Sequence, residues 1–116
     1  MATVTVNKNG YTVDSLYQWD SGQILEVYGL SVPGTPELHF SLKSLADATV
    51  QPTTIDASGV IRAQIPNELL EKGSPINAYV CTKEGGSFRS LRTIVIPVES
   101  RAQPCTELSE EEIVNG

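Results

Sequence analysis

Histidine, tryptophan and methionine each occur once in these 116 residues, cysteine occurs twice, and aromatic side chains make up 6% of the chain. Each scarcity removes a class of function. Zinc and most transition metals are held by clustered His and Cys ligands, and His39 with the widely separated Cys81 and Cys105 supplies no cluster. The two cysteines lack a Cys-x-x-Cys spacing and give no redox motif, so free thiols are the expectation in a reducing cytoplasm, with a Cys81–Cys105 disulfide as the alternative. Basic charge is also short. Eight Lys and Arg against 14 Asp and Glu leave a net charge of −6, the wrong sign for gathering nucleic acid or an anionic membrane. No apolar run is long enough to span a bilayer. The start Met1-Ala2-Thr3-Val4 has neither the basic region nor the apolar stretch of a secretory signal. The expectation is a chain made in a cytoplasm, with no membrane insertion.

Signatures of catalysis and cofactor binding are missing too. There is no Walker loop and no Gly-x-Gly-x-x-Gly, and no Gly-x-Ser-x-Gly elbow surrounds any serine. A nucleophilic triad would have to recruit His39 and Ser41 with Asp14, Asp20, Asp47 or Asp56, without a local motif to assemble them. His39 is read instead as a solvent-facing side chain. Glu110-Glu111-Glu112 is a solvated charge run rather than a calcium loop. The expectations are no enzyme, no cofactor and no bound metal.

What the chain does hold is β-strand pattern. Hydrophobic residues at 40% and charged residues at 19% are ordinary globular values, and the length suits one core. Val4-Thr5-Val6 and Tyr11-Thr12-Val13 flank Asn9-Gly10, a hairpin signal for a type I′ turn. Leu16 to Trp19, a turn at Asp20-Ser21-Gly22, and Ile24 to Tyr28 read as strand, turn, strand. The segment 31–36, with two prolines and a glycine, reads as a loop that stops strand pairing. Leu38, Phe40 and Leu42 then alternate with His39, Ser41 and Lys43, the period of a half-buried strand.

Residues 44–48 suit one helical turn or a bend, and 49–55, with Pro52 inside, suit an edge strand. Asp56-Ala57-Ser58-Gly59 is turn chemistry before a strand in which Ile61, Ala63 and Ile65 share a face. Pro66 to Gly73 carries Pro early, acids next and Gly last, which predicts a short helix near 67–72. Residues 76–82 and 88–98 form a hairpin closed by Gly85-Gly86. Its second arm sets Leu91, Thr93 and Val95 against Arg92, Ile94 and Ile96, and two partly apolar faces predict a central strand covered on both sides.

Seven or eight short strands with one short helix predict an all-β fold, an antiparallel β-sandwich of immunoglobulin-like or jelly-roll-like type. The body is 1–98. The segment 99–116 is an acidic tail or arm with five acidic residues and one basic residue, including a Ser109-x-x-Glu112 capping-box pattern. Among surface candidates the aromatics stand out. Tyr17 and Trp19 are two apart and would share one strand face, with Tyr11 or Tyr28 beside them. Such a group serves as core, as a protein-interface anchor, or as a platform for a cell-wall glycan.

The stretches from Tyr17 to Gly29, Pro36 to Phe40, Asp56 to Val60, Ile65 to Leu70 and Ala78 to Cys81 resemble a family of short phage and prophage tail-region proteins of Gram-positive hosts. In layout the chain is similar to the N-terminal β-sandwich of phage upper-baseplate proteins, over about residues 14–98. The resemblance implies a non-enzymatic virion structural protein of the tail or baseplate. Its implied partners are other copies of itself, as a homo-oligomer, and neighbouring tail proteins. It carries over no functional residue, and contact with a host-wall glycan through Tyr17 and Trp19 is the alternative.

Overall fold

A computed structural model describes residues 1–43 and 47–104, and they form a predominantly β structure. Its strands are β1 (Ala2–Asn7), β2 (Gly10–Val13), β3 (Leu16–Tyr17), β4 (Ile24–Tyr28), β5 (Thr35–Leu42), β6 (Thr49–Pro52), β7 (Thr54–Ile55), β8 (Ile61–Gln64), β9 (Ile76–Glu84), β10 (Ser87–Ile96) and β11 (Val98–Glu99). The single described helix is α1 (Asn67–Leu70). Two larger sheets have the orders β2-β1-β4-β8-β7 and β10-β9-β5-β6, and a small one pairs β11 with β3.

Eleven strands replace the seven or eight expected, because three are two-residue pieces and the 49–55 run divides at Thr53. Thr53 Oγ1 donates to Pro36 O at 2.8 Å, and there the chain passes from the edge of one sheet, β6, to the edge of the other, β7. Pro52 is therefore on an edge strand, as its missing donor requires.

Three further expectations are corrected. Pairing is not wholly antiparallel, since β1 lies parallel to β4 and β3 parallel to β11. The strand, turn, strand read from Leu16 to Tyr28 is present as β3 and β4, but the first strand ends at Tyr17 rather than Trp19 and the two do not pair: β3 goes to β11 in the small sheet, while β4 pairs with β1 and β8. Strand pairing also resumes earlier than the prolines implied. Thr35 and Pro36 already pair with Lys83 and Thr82, and the side chain of Thr82 closes the loop by donating to Pro33 O.

The first hairpin turns on Lys8 and Asn9, not on Asn9-Gly10. Neither residue has positive φ, so it is not type I′. Asn7 Oδ1 instead accepts from Asn9 N at 2.9 Å, and the open backbone falls to Gly10 at φ 145°. The second hairpin closes as read, with positive φ at both Gly85 and Gly86.

The core follows the alternation. Leu38, Phe40 and Leu42 of β5, Ile76, Ala78 and Val80 of β9, Ile94 and Ile96 of β10, and Val4, Leu25, Val27 and Ile61 of the five-stranded sheet join one buried cluster. Each of the Val, Leu, Ile and Phe side chains among them contributes roughly 1.5–3 kcal/mol by leaving water. Helix α1 buries Leu69 and Leu70 against the same cluster.

The arm β10 is the sheet's edge rather than its centre. Its register slips between Ser90 and Arg92, leaving Leu91 as a bulge. Beyond the slip Ile94 and Ile96 face inward, while Val95 is exposed. Residues 44–46, Cys105 and the 109–112 pattern lie outside the described residues. Among the described helices none is long and apolar enough to cross a membrane.

Candidate interaction face

Side chains alternate across a strand, so the residues between core positions define the outer face of the four-stranded sheet. In register across it run Val50, His39, Tyr79 and Thr93, one from each strand. The next rows hold Pro52, Glu37, Cys81 and Ser90, and Ser41, Asn77 and Val95. Toward the hairpin tip, Lys83 pairs with Phe88. Phe88 is 58% exposed, Val50 50% and Val95 43%. These are three of the six exposed large apolar residues among those described, gathered on one face. Apolar surface grouped in this way marks contact with another molecule more often than scattered single residues do.

The face has a built interior. The edge of the His39 ring meets Phe88 at a centroid distance of 6.1 Å, and Lys83 Nζ stands 5.5 Å from the Phe88 centroid as a cation-π contact. His39 Nε2 lies 3.5 Å from Glu37 Oε1. His39 is thus on the outer face, as read from the sequence, but partly covered rather than open. Cys81 is a buried free thiol whose Sγ lies 3.7 Å from Ser90 Oγ. The Ser41 hydroxyl donates to Leu42 O at 2.9 Å, within its own strand. Among the described residues the His39 ring's polar partner is Glu37, and the Ser41 hydroxyl is spent on Leu42 O, so the two are not hydrogen-bonded to each other.

The opposite outer face, on the five-stranded sheet, is polar. Glu26 and Arg62 are cross-strand partners with Oε2 and Nε 2.7 Å apart, and Arg62 Nη1 reaches Asp56 Oδ2 at 2.8 Å. The Glu26 side chain is only 11% exposed. Asp56 Oδ1 also accepts from Ser58 N and Val60 N, which fixes the turn before β8. The guanidinium of Arg62, followed by these backbone donors, holds the Asp56 carboxyl below its usual range, and the two carboxylates push Arg62 up. No sequence motif announced this network. The i, i+2 spacing of Ile24, Glu26 and Tyr28 opposite Arg62 was its only trace.

The aromatic trio of the sequence is dispersed. Tyr11 faces the core side and packs on it, and its hydroxyl accepts from Val95 N at 2.9 Å, capping the free edge of β10. Tyr17 is half exposed on β3, where neighbouring Glu99, chiefly through a hydrogen bond, holds its phenol above the usual value. Trp19 leaves the strand. It sits in a turn at φ 74°, with Asp20 N donating to Tyr17 O at 3.2 Å. Tyr17 and Trp19 therefore do not share a strand face.

Gln18 between them is the residue the sequence reading passed over. Its Nε2 donates to Glu71 O at 2.9 Å and its Oε1 accepts from Arg101 N at 3.1 Å, tying the end of α1 to the chain beyond β11. The body thus continues past residue 98 through Glu99 on β11 to Arg101. Among the described residues, no group of three or more His, Cys, Asp or Glu is placed to hold a metal ion. The chain matches no family model, and no curated protein matches it.

Proposed function

We propose that this chain is a non-enzymatic structural subunit of a phage tail or baseplate, acting by assembly with itself and with neighbouring tail proteins, and located in the virion. We read the two larger sheets as the layers of a β-sandwich. The outer face of the four-stranded layer is the assembly surface. The observation that carries this reading is the gathering of exposed Phe88, Val50 and Val95 on one face, while the opposite outer face is occupied by ion pairs. Large aromatic side chains ringed by polar groups are what association energy concentrates on. The resemblance to phage tail-region proteins supplies the context. A sugar platform built from Tyr17 and Trp19 is disfavoured by the turn at Trp19.

Light scattering on the full chain tests the proposal. The expected result is a defined oligomer that Phe88→Ser converts to monomer without altering the fold. A monomer at high concentration, with no affinity for tail proteins, would overturn it.

A further inference from the structure

Counted from the hairpin tip, Phe88 stands in the first row of the outer face of the four-stranded sheet, Glu37 and Pro52 in the second, His39 and Val50 in the third, and Val95 in the fourth. This order is self-complementary. Take a second copy laid face to face on the first, related by a twofold axis that crosses the strands midway between the second and third rows. Each strand then lies over its own counterpart with the rows reversed, first on fourth and second on third. Phe88 of one copy meets Val95 of the other, and Val50 meets Pro52. Glu37 meets His39, and because each carboxylate already lies 3.5 Å from its own imidazole, two acids and two histidines alternate around the axis.

Other axes match less well. Moved half a row, the axis stacks Glu37 on Glu37 or His39 on His39, and like charges set against each other oppose association. Turned parallel to the strands, it lays β10 over β6, which has no residue in the rows of Phe88 and Val95. In the favoured arrangement the strands of the two copies run antiparallel, near the aligned packing that sheets adopt face to face. Four strands and the nine residues of β9 make a face on the order of 500 Å² at ordinary strand spacings. Two copies together bury roughly 1,000 Å², at the low end for a specific complex.

We propose that the partner on this face is a second copy of the chain in this arrangement, an isologous dimer that closes at two subunits, a geometry that rests on the assembly reading of the face and specifies its partner.

Nitroxide labels test it on the full chain with Cys105→Ser, Cys81 being only 3% exposed. Ser87→Cys, on the other side of the strand from Phe88, and Ser74→Cys, before β9, are exposed positions at opposite ends of the sheet. Pulsed dipolar spectroscopy on the mixed labelled chains is expected to find the 87–74 distance between copies shorter than the 87–87 and 74–74 distances, which span the length of β9, roughly 30 Å. A dimer in which 87–87 is the shortest overturns this geometry and leaves the assembly reading standing. A monomeric mass at high concentration, without dipolar contact, overturns both. Charge gives a second measurement, by light scattering. Glu37→Lys and His39→Glu should each weaken the dimer about tenfold or more when alone. Mixing the two variants should restore it, because the introduced lysine then faces the introduced glutamate and the remaining Glu37 faces the remaining His39. No gain on mixing overturns the proposal.

Discussion

The two larger sheets share one core but present opposite outer faces. On the five-stranded sheet, threonines and asparagine surround Glu26, Arg62 and Asp56, whose charges are spent on one another. On the four-stranded sheet, Phe88, Val50 and Val95 are exposed among polar neighbours, including His39, Glu37, Tyr79, Asn77 and Lys83. A face whose charges are mutually satisfied offers little to a partner, while exposed apolar area is a standing free-energy source for association. The contrast is what the proposed assembly on the four-stranded side rests on, with ion pairs locking the other.

Substitutions can break that contrast. Arg62→Met leaves the nearly covered Glu26 carboxylate without its partner and is expected to give the largest loss of stability among these changes, read as a lower denaturant midpoint, with oligomer mass unchanged. Glu26→Leu with Arg62→Met should recover most of that loss, because the stranded charge goes as well. An Arg62→Met protein of wild-type stability would mean the five-stranded face is not locked by its ions.

Phe88→Ser should do the reverse. Association is expected to weaken by about 2 kcal/mol or more, measured by light scattering against concentration, while the unfolding midpoint shifts by no more than about 0.5 kcal/mol. Should Phe88→Ser unfold the protein instead, its ring belongs to the fold and not to a contact surface.

Acid sharpens the comparison more gently. The Asp56 carboxyl is lowered by Arg62 and by the Val60 and Ser58 amides, so its contribution is present above the unfolded pKa of about 3.9. It is lost as pH falls through the lower folded value. Asp56→Asn should flatten that part of the stability-against-pH curve measured by thermal unfolding, with no effect on the Phe88 face.

The smallest effect is expected at Tyr17, raised chiefly by its hydrogen bond to Glu99. Its contribution is complete below the unfolded pKa of about 10 and is lost as pH rises through the higher folded value. Tyr17→Phe should remove this alkaline sensitivity, and its persistence would show that the β3–β11 corner is held by other groups.

Much of the secondary structure was legible because burial on one side of a strand imposes a period of two. Leu38, Phe40 and Leu42 declared their face in this way, and so did Ile61, Ala63 and Ile65. The short helix was legible from its Pro start and Gly end, and at Gly73, φ 66°, an added Cβ would lie 2.8 Å from Gln18 Cδ.

The bulge was harder, yet a conflict in the sequence encoded it. The two-residue Gly85-Gly86 turn fixes Lys83 opposite Phe88 and Cys81 opposite Ser90. Continued without a slip, that register would bring Leu91, Thr93 and Val95 inward and turn Ile94 and Ile96 outward. The isoleucines gain more by burial, so one residue is extruded at Leu91. Reading the arm as one unbroken alternation missed this slip and put β10 at the centre of its sheet. The candidate site was less legible still. Phe88 gave no signal apart from its place beside the turn, Gln18 gave none, and the Glu26–Arg62 pair left only the spacing of Ile24, Glu26 and Tyr28, because their partners lie up to 83 residues away.

The sequence by itself determined where strands run, which of their faces are apolar, which residues turn, and that acid outweighs base, since these depend on neighbours one to four positions away. Only the tertiary structure decided that β1 and β3 take parallel partners, that Trp19 leaves its strand, that β10 is an edge capped by Tyr11, and which outer face holds ion pairs and which holds exposed rings. The reason is that strand order and register are settled by how two sheets fill one core together, a competition among distant segments that no local pattern records.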